Sequence, residues 1–140
     1  EIMEEKMFLT ELKYEEKQLF LNLCIHAANA NDFFVEEEKN MIQDYCREMK
    51  IEEPSFLEMK SLEAVIAEIN RISDLRSKKI IVLELLGLMM VDKEYDEHEK
   101  IFMKTLAEKI GIEKDLFNEI AEKLDKYLQV CNELQEAVLE

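Results

Sequence analysis

The sequence predicts an all-α fold of about six to seven helices, on three observations. Apolar residues recur every three or four positions along most of the chain, the period of a helix with one buried face. Two glycines, Gly87 and Gly111, and one proline, Pro54, leave little material for hairpins or phosphate-cradling loops. The run Ile80 to Val91 (IIVLELLGLMMV) reads as a buried central helix, interrupted only by Glu84 and Gly87, so that nearly its whole circumference must be covered. A chain of 140 residues suits a single domain that buries roughly two thirds of its unfolded surface.

The elements follow in order. Glu1 to Lys13, with Met3, Met7, Phe8 and Leu12 irregularly spaced, reads as an arm or short helix laid on the core. From Tyr14 to about Asn31 a helix presents Leu19, Phe20, Leu23, Cys24, Ala27 and Ala30 on one side and Asn22, His26 and Asn29 on the other, which makes His26 a surface histidine. Asn31 and Asp32 tolerate the left-handed turn that a missing glycine would supply, and Phe33, Phe34 and Val35 should plug that turn into the core. A second helix is expected from about Glu36 to Lys50. Its inner face is Met41, Ile42, Tyr45, Cys46 and Met49, and Glu36, Glu37 and Glu38 lie in the first turn, where the helix dipole favours negative charge.

Pro54 suits the first turn of another short helix, and Ser61 followed by Leu62, Val65, Ile66, Ile69 and Ile72 marks an amphipathic one. Ser73 or Asp74 should cap the central helix, Leu75 to Val91. Asp96 should open the next, and Gly111 is placed to end it in a left-handed cap. The last helix begins near Lys114 and reaches Val138. Its residues Phe117, Ile120, Leu124, Tyr127, Cys131, Leu134 and Val138 are spaced 3, 4, 3, 4, 3, 4, the pattern of a coiled-coil seam. Packing on its own core comes first as the reading of that stripe, and a homodimer or partner interface second.

Thirty-three Asp and Glu against 18 Lys and Arg, a net charge of −15, would repel nucleic acid and the anionic face of a membrane and favour cations and basic partners. Cys24, Cys46 and Cys131 are odd in number, show no CxxC or metal-ligand spacing, and are expected as reduced, packed thiols. With no basic n-region followed by an apolar h-region, and with Ile80 to Val91 too short to span a bilayer, the expected place is the cytoplasm.

Sliding the chain by 61 residues lays Glu15 to Ile51 on Arg76 to Ile112 without a gap. Lys17 with Lys78, Glu36 with Glu97, Glu38 with Glu99, Lys39 with Lys100, and Ile51 with Ile112 are identical, and apolar classes match at Ile25 with Leu86, Phe34 with Tyr95, Ile42 with Met103 and Met49 with Ile110. Each repeat is a helix, an acidic turn and a second helix, and two such hairpins can pack about a pseudo-twofold axis.

Each repeat resembles the TerB-like (tellurite-resistance B-like) module, whose signature is a small-apolar run, Ala-Asp-Gly, a short spacer, and Ser-x-x-Glu opening the next helix. The resemblance covers roughly Leu12 to Leu116. Val91-Asp92-Lys93 stands at the Ala-Asp-Gly position and Asp96-Glu97-His98-Glu99 at the Ser-x-x-Glu position, with Ala30-Asn31-Asp32 and Val35-Glu36-Glu37-Glu38 in the first repeat. The family is metal-chelating, intracellular and stress-associated, and occurs in multi-protein assemblies often linked to the membrane. The resemblance therefore implies an all-helical module in such an assembly, with Asp92 and Glu99 as metal-ligand candidates and Asn31 and Glu38 as their counterparts. Both repeats lack the family's glycine, and Asn31 offers a neutral amide oxygen in place of a carboxylate.

Asp96-x-x-Glu99 is also a capping box, in which Asp96 and Glu99 satisfy each other's backbone amides. The acidic turn thus stands either as a cap alone or as a cap that also binds an ion. In the first repeat Val35 cannot cap, which leaves Glu38 its carboxylate without the reciprocal partner. An oxygen-rich set that includes Asp96 suits a hard divalent cation, calcium or magnesium ahead of zinc. An EF-hand is excluded, because counting from Asp92 the sixth position is Glu97 and the twelfth Met103, where glycine and a bidentate glutamate are required. His98 would point about 100° away from Glu99 on a helix, towards solvent. With no HExxH, nucleophile elbow, P-loop or GxGxxG, the expected function is non-catalytic: a cation-binding module of a stress-response assembly or, alternatively, a metal-free interaction domain.

Overall fold

In a computed structural model of the chain, residues 8–29, 44, 47, 60–90 and 95–139 are described. Every regular element among them is helical: a 3-10 turn (Leu9–Glu11) and five α-helices, α1 (Tyr14–Asn29), α2 (Leu62–Ile72), α3 (Leu75–Met90), α4 (Glu97–Lys109) and α5 (Lys114–Leu139). The helix expected at 36–50 and the one at Pro54 lie outside the described residues, except that Asp44 and Arg47 are helical and ion-paired.

Local chemistry sets the helix ends. Ser61 opens α2, its hydroxyl accepting the Ala64 N–H at 3.2 Å. Of the two residues expected to cap α3, Asp74 does so, its Oδ1 accepting the Ser77 N–H at 2.9 Å. That hydrogen bond, with Lys13 and Arg76 nearby, holds the Asp74 carboxyl below its ordinary range. Helix α4 ends as Gly111 predicts. Gly111 takes φ +88°, the Ile112 N–H bonds the Ala107 carbonyl at 2.8 Å and the Gly111 N–H bonds the Glu108 carbonyl at 3.0 Å, the paired bonds of a Schellman motif. A Cβ at Gly111 would meet nothing nearer than Lys78 Nζ at 3.9 Å, so a side chain is opposed by the backbone alone. Gly111→Ala should therefore cost about 1–2 kcal/mol, read from urea unfolding, and Gly111→Asn clearly less. Equal losses in the two variants would show that the left-handed backbone is not the constraint.

Helix α3 is the centre. Its residues 80–82 and 84–89 are all buried, which no single packing face could achieve. It touches α1, α4, α5 and the 3-10 turn, while α1 also packs on α2 and α4 on α5. Phe20 and Leu23 of α1, Val65 and Ile69 of α2, Met103 and Leu106 of α4, and Phe117 and Leu124 of α5 join it in the core. The amino-terminal segment sits on that core where it is described, with Leu9 and Leu12 buried. Cys24 and Cys131 are buried thiols, and Cys46 lies outside the described residues.

The seam read along α5 divides in two. Phe117, Leu124 and Cys131 are buried, and Ile120 and Tyr127 pack half-buried against the core, whereas Leu134 is 57% and Val138 69% exposed. At 1.5 Å per residue α5 is about 39 Å long, so its last two turns run past the helices that cover the rest. The regular spacing therefore serves the chain's own core up to Cys131 and solvent beyond it.

Candidate functional site

The acidic junction ahead of α4 is the site singled out by the sequence. Asp96 is the N-cap of α4; its Oδ1 accepts the Glu99 N–H at 2.9 Å, and Glu99 Oε1 accepts the Asp96 N–H at 3.1 Å. The capping box is thus formed as expected, with Asp96 exposed and Glu99 buried. Tyr95 lies half-buried beside it; burial, and after it the Glu99 charge, push its hydroxyl up to about 12. Lys100 Nζ stands 5.8 Å from the centroid of the Tyr95 ring, a cation–π contact over the same turn. His98 is exposed, as its angular position predicts.

Asp92, Asn31 and Glu38 lie outside the described residues. Of the five metal-ligand candidates, the structure therefore brings together Asp96 and Glu99, and it engages them with each other's backbone. Among the described residues no group of three or more His, Cys, Asp or Glu side chains is placed to hold a metal ion. The two described carboxylates alone make a helix cap and fall short of the oxygen count a hard cation takes.

A second carboxylate cluster was not legible as a site. Glu16 is 0% exposed and stands at the third position of α1, where its Oε1 accepts the Lys13 N–H at 2.9 Å. The same carboxylate accepts the Ser73 hydroxyl at 2.7 Å and the Ser77 hydroxyl at 3.3 Å. Lys13 Nζ donates to the Ile72 carbonyl at 3.1 Å, and Arg76 pairs with Glu11. The start of α1 thereby clamps the corner between α2 and α3. One signal was available: Glu16 falls four residues from both Leu12 and Phe20, a carboxylate on the apolar stripe. Its partners, 57 and 61 residues away, left no trace in the local pattern.

Glu84, also buried, accepts the Phe8 N–H at 2.8 Å and ties the amino-terminal segment to α3. On α1, His26 lies on the polar side with Asn22 as expected, and the structure gives it a partner there. The ring is half-buried and its Nε2 donates to the Lys60 carbonyl at 2.9 Å, while Asn22 Oδ1 accepts the Lys60 N–H at 3.0 Å. One turn apart, the two side chains hold the N–H and the C=O of Lys60, the residue just before the N-cap of α2. These contacts position helices, and none assembles a nucleophile with a base and an oxyanion donor.

No protein-family model, curated protein or solved structure matches the chain.

Proposed function

We propose that the chain is a non-catalytic, TerB-like helical module that works by docking within a larger stress-related assembly, and that the exposed end of α5 is its docking surface. The observation carrying this reading is the helix end itself: Val130, Leu134, Val138 and Leu139 are all more than half exposed, on a helix whose earlier turns are spent on the core. Apolar side chains gathered at one place on a surface this rich in charge favour a partner. Of these, Leu134 and Val138 continue the 3, 4 spacing of the preceding turns from Cys131, so a helix with a matching seam is the fitting partner, and a second copy supplies one. Light scattering across a wide concentration range should show a dimer that Leu134→Lys with Val138→Lys converts to a monomer, with the melting temperature of the dilute protein unchanged. A wild-type monomer throughout removes the homodimer.

The same reading takes the chain as one cytoplasmic domain built on a pseudo-twofold repeat of residues 15–51 and 76–112, with a weak divalent-cation site at the doubled acidic turns. The Asp96–Glu99 pairing at the start of α4, with Asp92 four residues before Asp96 in sequence, supports such a site by concentrating carboxylates at one helix junction. Calorimetric titration with calcium, magnesium, manganese and zinc tests it. The hard cations should give the larger heats, and Asp92→Ala with Glu99→Ala should abolish them. Absence of heat at millimolar ion leaves the interaction module without a metal.

A further inference from the structure

A groove of about 430 Å³ lies between the first half of α3 and the middle of α5, with the 3-10 turn at its end. Its floor is apolar: Ile80 and Leu83 from α3, Ile120, Leu124 and Tyr127 from α5, and Phe8, which is 40% exposed. The volume is that of a small-molecule site.

The charge along its walls is the reverse of the molecule's. The chain carries 33 acidic against 18 basic residues, yet the groove is lined by Arg76, Lys79 and Lys123 against Glu11 alone. Glu11 is already paired with Arg76, and Lys123 pairs with Glu119 at 3.1 Å across an exposed turn, a contact that solvent weakens. Lys79 is half-buried, and its side-chain ammonium makes no hydrogen bond or ion pair among the described residues. An apolar groove edged by three basic side chains, on a molecule otherwise rich in acid, is complementary to an anion attached to an apolar body.

We propose that this groove binds a free, single-chain amphiphilic carboxylate of the fatty-acid type. The alkyl chain lies along Ile80, Leu83, Ile120 and Leu124, and the carboxylate sits at Lys79 with Arg76 and Lys123 beside it. A neutral amphiphile would gain nothing from the three basic side chains, and a cationic one would be repelled by all of them. The site is separate from the exposed end of α5 and from the acidic junction, so it stands or falls independently of both.

The test is calorimetric titration of the full chain with sodium dodecanoate below its micellar concentration. One molecule should bind per chain, while butanoate, which lacks the tail, and dodecyltrimethylammonium, which reverses the charge, should not. Lys79→Glu should weaken dodecanoate at least tenfold with an unchanged far-ultraviolet circular dichroism spectrum, and Lys123→Glu, on the opposite wall, serves as an independent second variant. A photoreactive diazirine analogue of dodecanoate should label α3 and α5. Absence of dodecanoate heat, equal binding of the cationic amphiphile, undiminished affinity in both lysine variants, or labelling elsewhere would each overturn the proposal. Binding confined to anionic phospholipid vesicles would overturn it too, since a membrane surface would then be the ligand.

Discussion

Leu85→Ala should lower the free energy of unfolding by about 2–5 kcal/mol, read as a shift of the urea midpoint with an unchanged slope. Leu85 is fully buried in the middle of α3, the helix enclosed by α1, α4, α5 and the 3-10 turn. Deleting its isobutyl group removes apolar burial and leaves a cavity whose walls belong to different helices. Those walls cannot close together without moving one helix against the others. For a domain of this size the loss corresponds to a fall in melting temperature of about 10 °C. The control is Leu75→Ala at the amino end of the same helix, where the side chain is 51% exposed and the change should stay within about 0.5 kcal/mol. Similar costs at the two positions would mean that α3 is not enclosed along its length.

Glu16→Ala should cost about 3 kcal/mol, although glutamate at a helix start is ordinarily a surface residue. The methyl group cannot accept hydrogen bonds, so the Lys13 N–H and the hydroxyls of Ser73 and Ser77 all lose their acceptor at a site where water is largely excluded. Glu16→Gln separates geometry from charge. Its amide oxygen can still accept from Lys13 and Ser77, and the Ser73 hydroxyl can rotate to accept from the new NH2 group, so most of the loss should be recovered. Thermal melts of the two variants decide it. An alanine variant as stable as wild type, or a glutamine variant no better than alanine, would show that the corner between α2 and α3 does not depend on this carboxylate.

Much of the architecture was legible because it follows from short-range rules. The 3.6-residue period located α1, α2, α3, α4 and α5 to within a few residues. Ser61, Asp96 and Gly111 marked helix ends because a hydroxyl, a carboxylate and a left-handed glycine each answer a need of the helix terminus itself. The capping box was legible for the same reason, since both partners lie within four residues. The clamp at Glu16, the grip of Asn22 and His26 on Lys60, and the bond from Phe8 to Glu84 were not, because their partners are brought near only when the helices pack. Glu84 interrupts an apolar run in sequence, and what it accepts comes from a residue 76 positions away.

The seven-position stripe of α5 shows where the boundary falls. Sequence alone determined that Phe117, Ile120, Leu124, Tyr127, Cys131, Leu134 and Val138 share one side of a helix, since that depends only on residues per turn. Which of them face the chain's own core depends on what the rest of the chain lays against them, and the tertiary structure decided it in favour of the residues up to Cys131. The same holds for charge. Composition established an acidic chain, but only the packing of α3 against α5 gathered Arg76, Lys79 and Lys123 around one apolar groove. Periodicity and capping are properties of a local stretch, whereas burial and local charge depend on what the remainder of the chain lays against it.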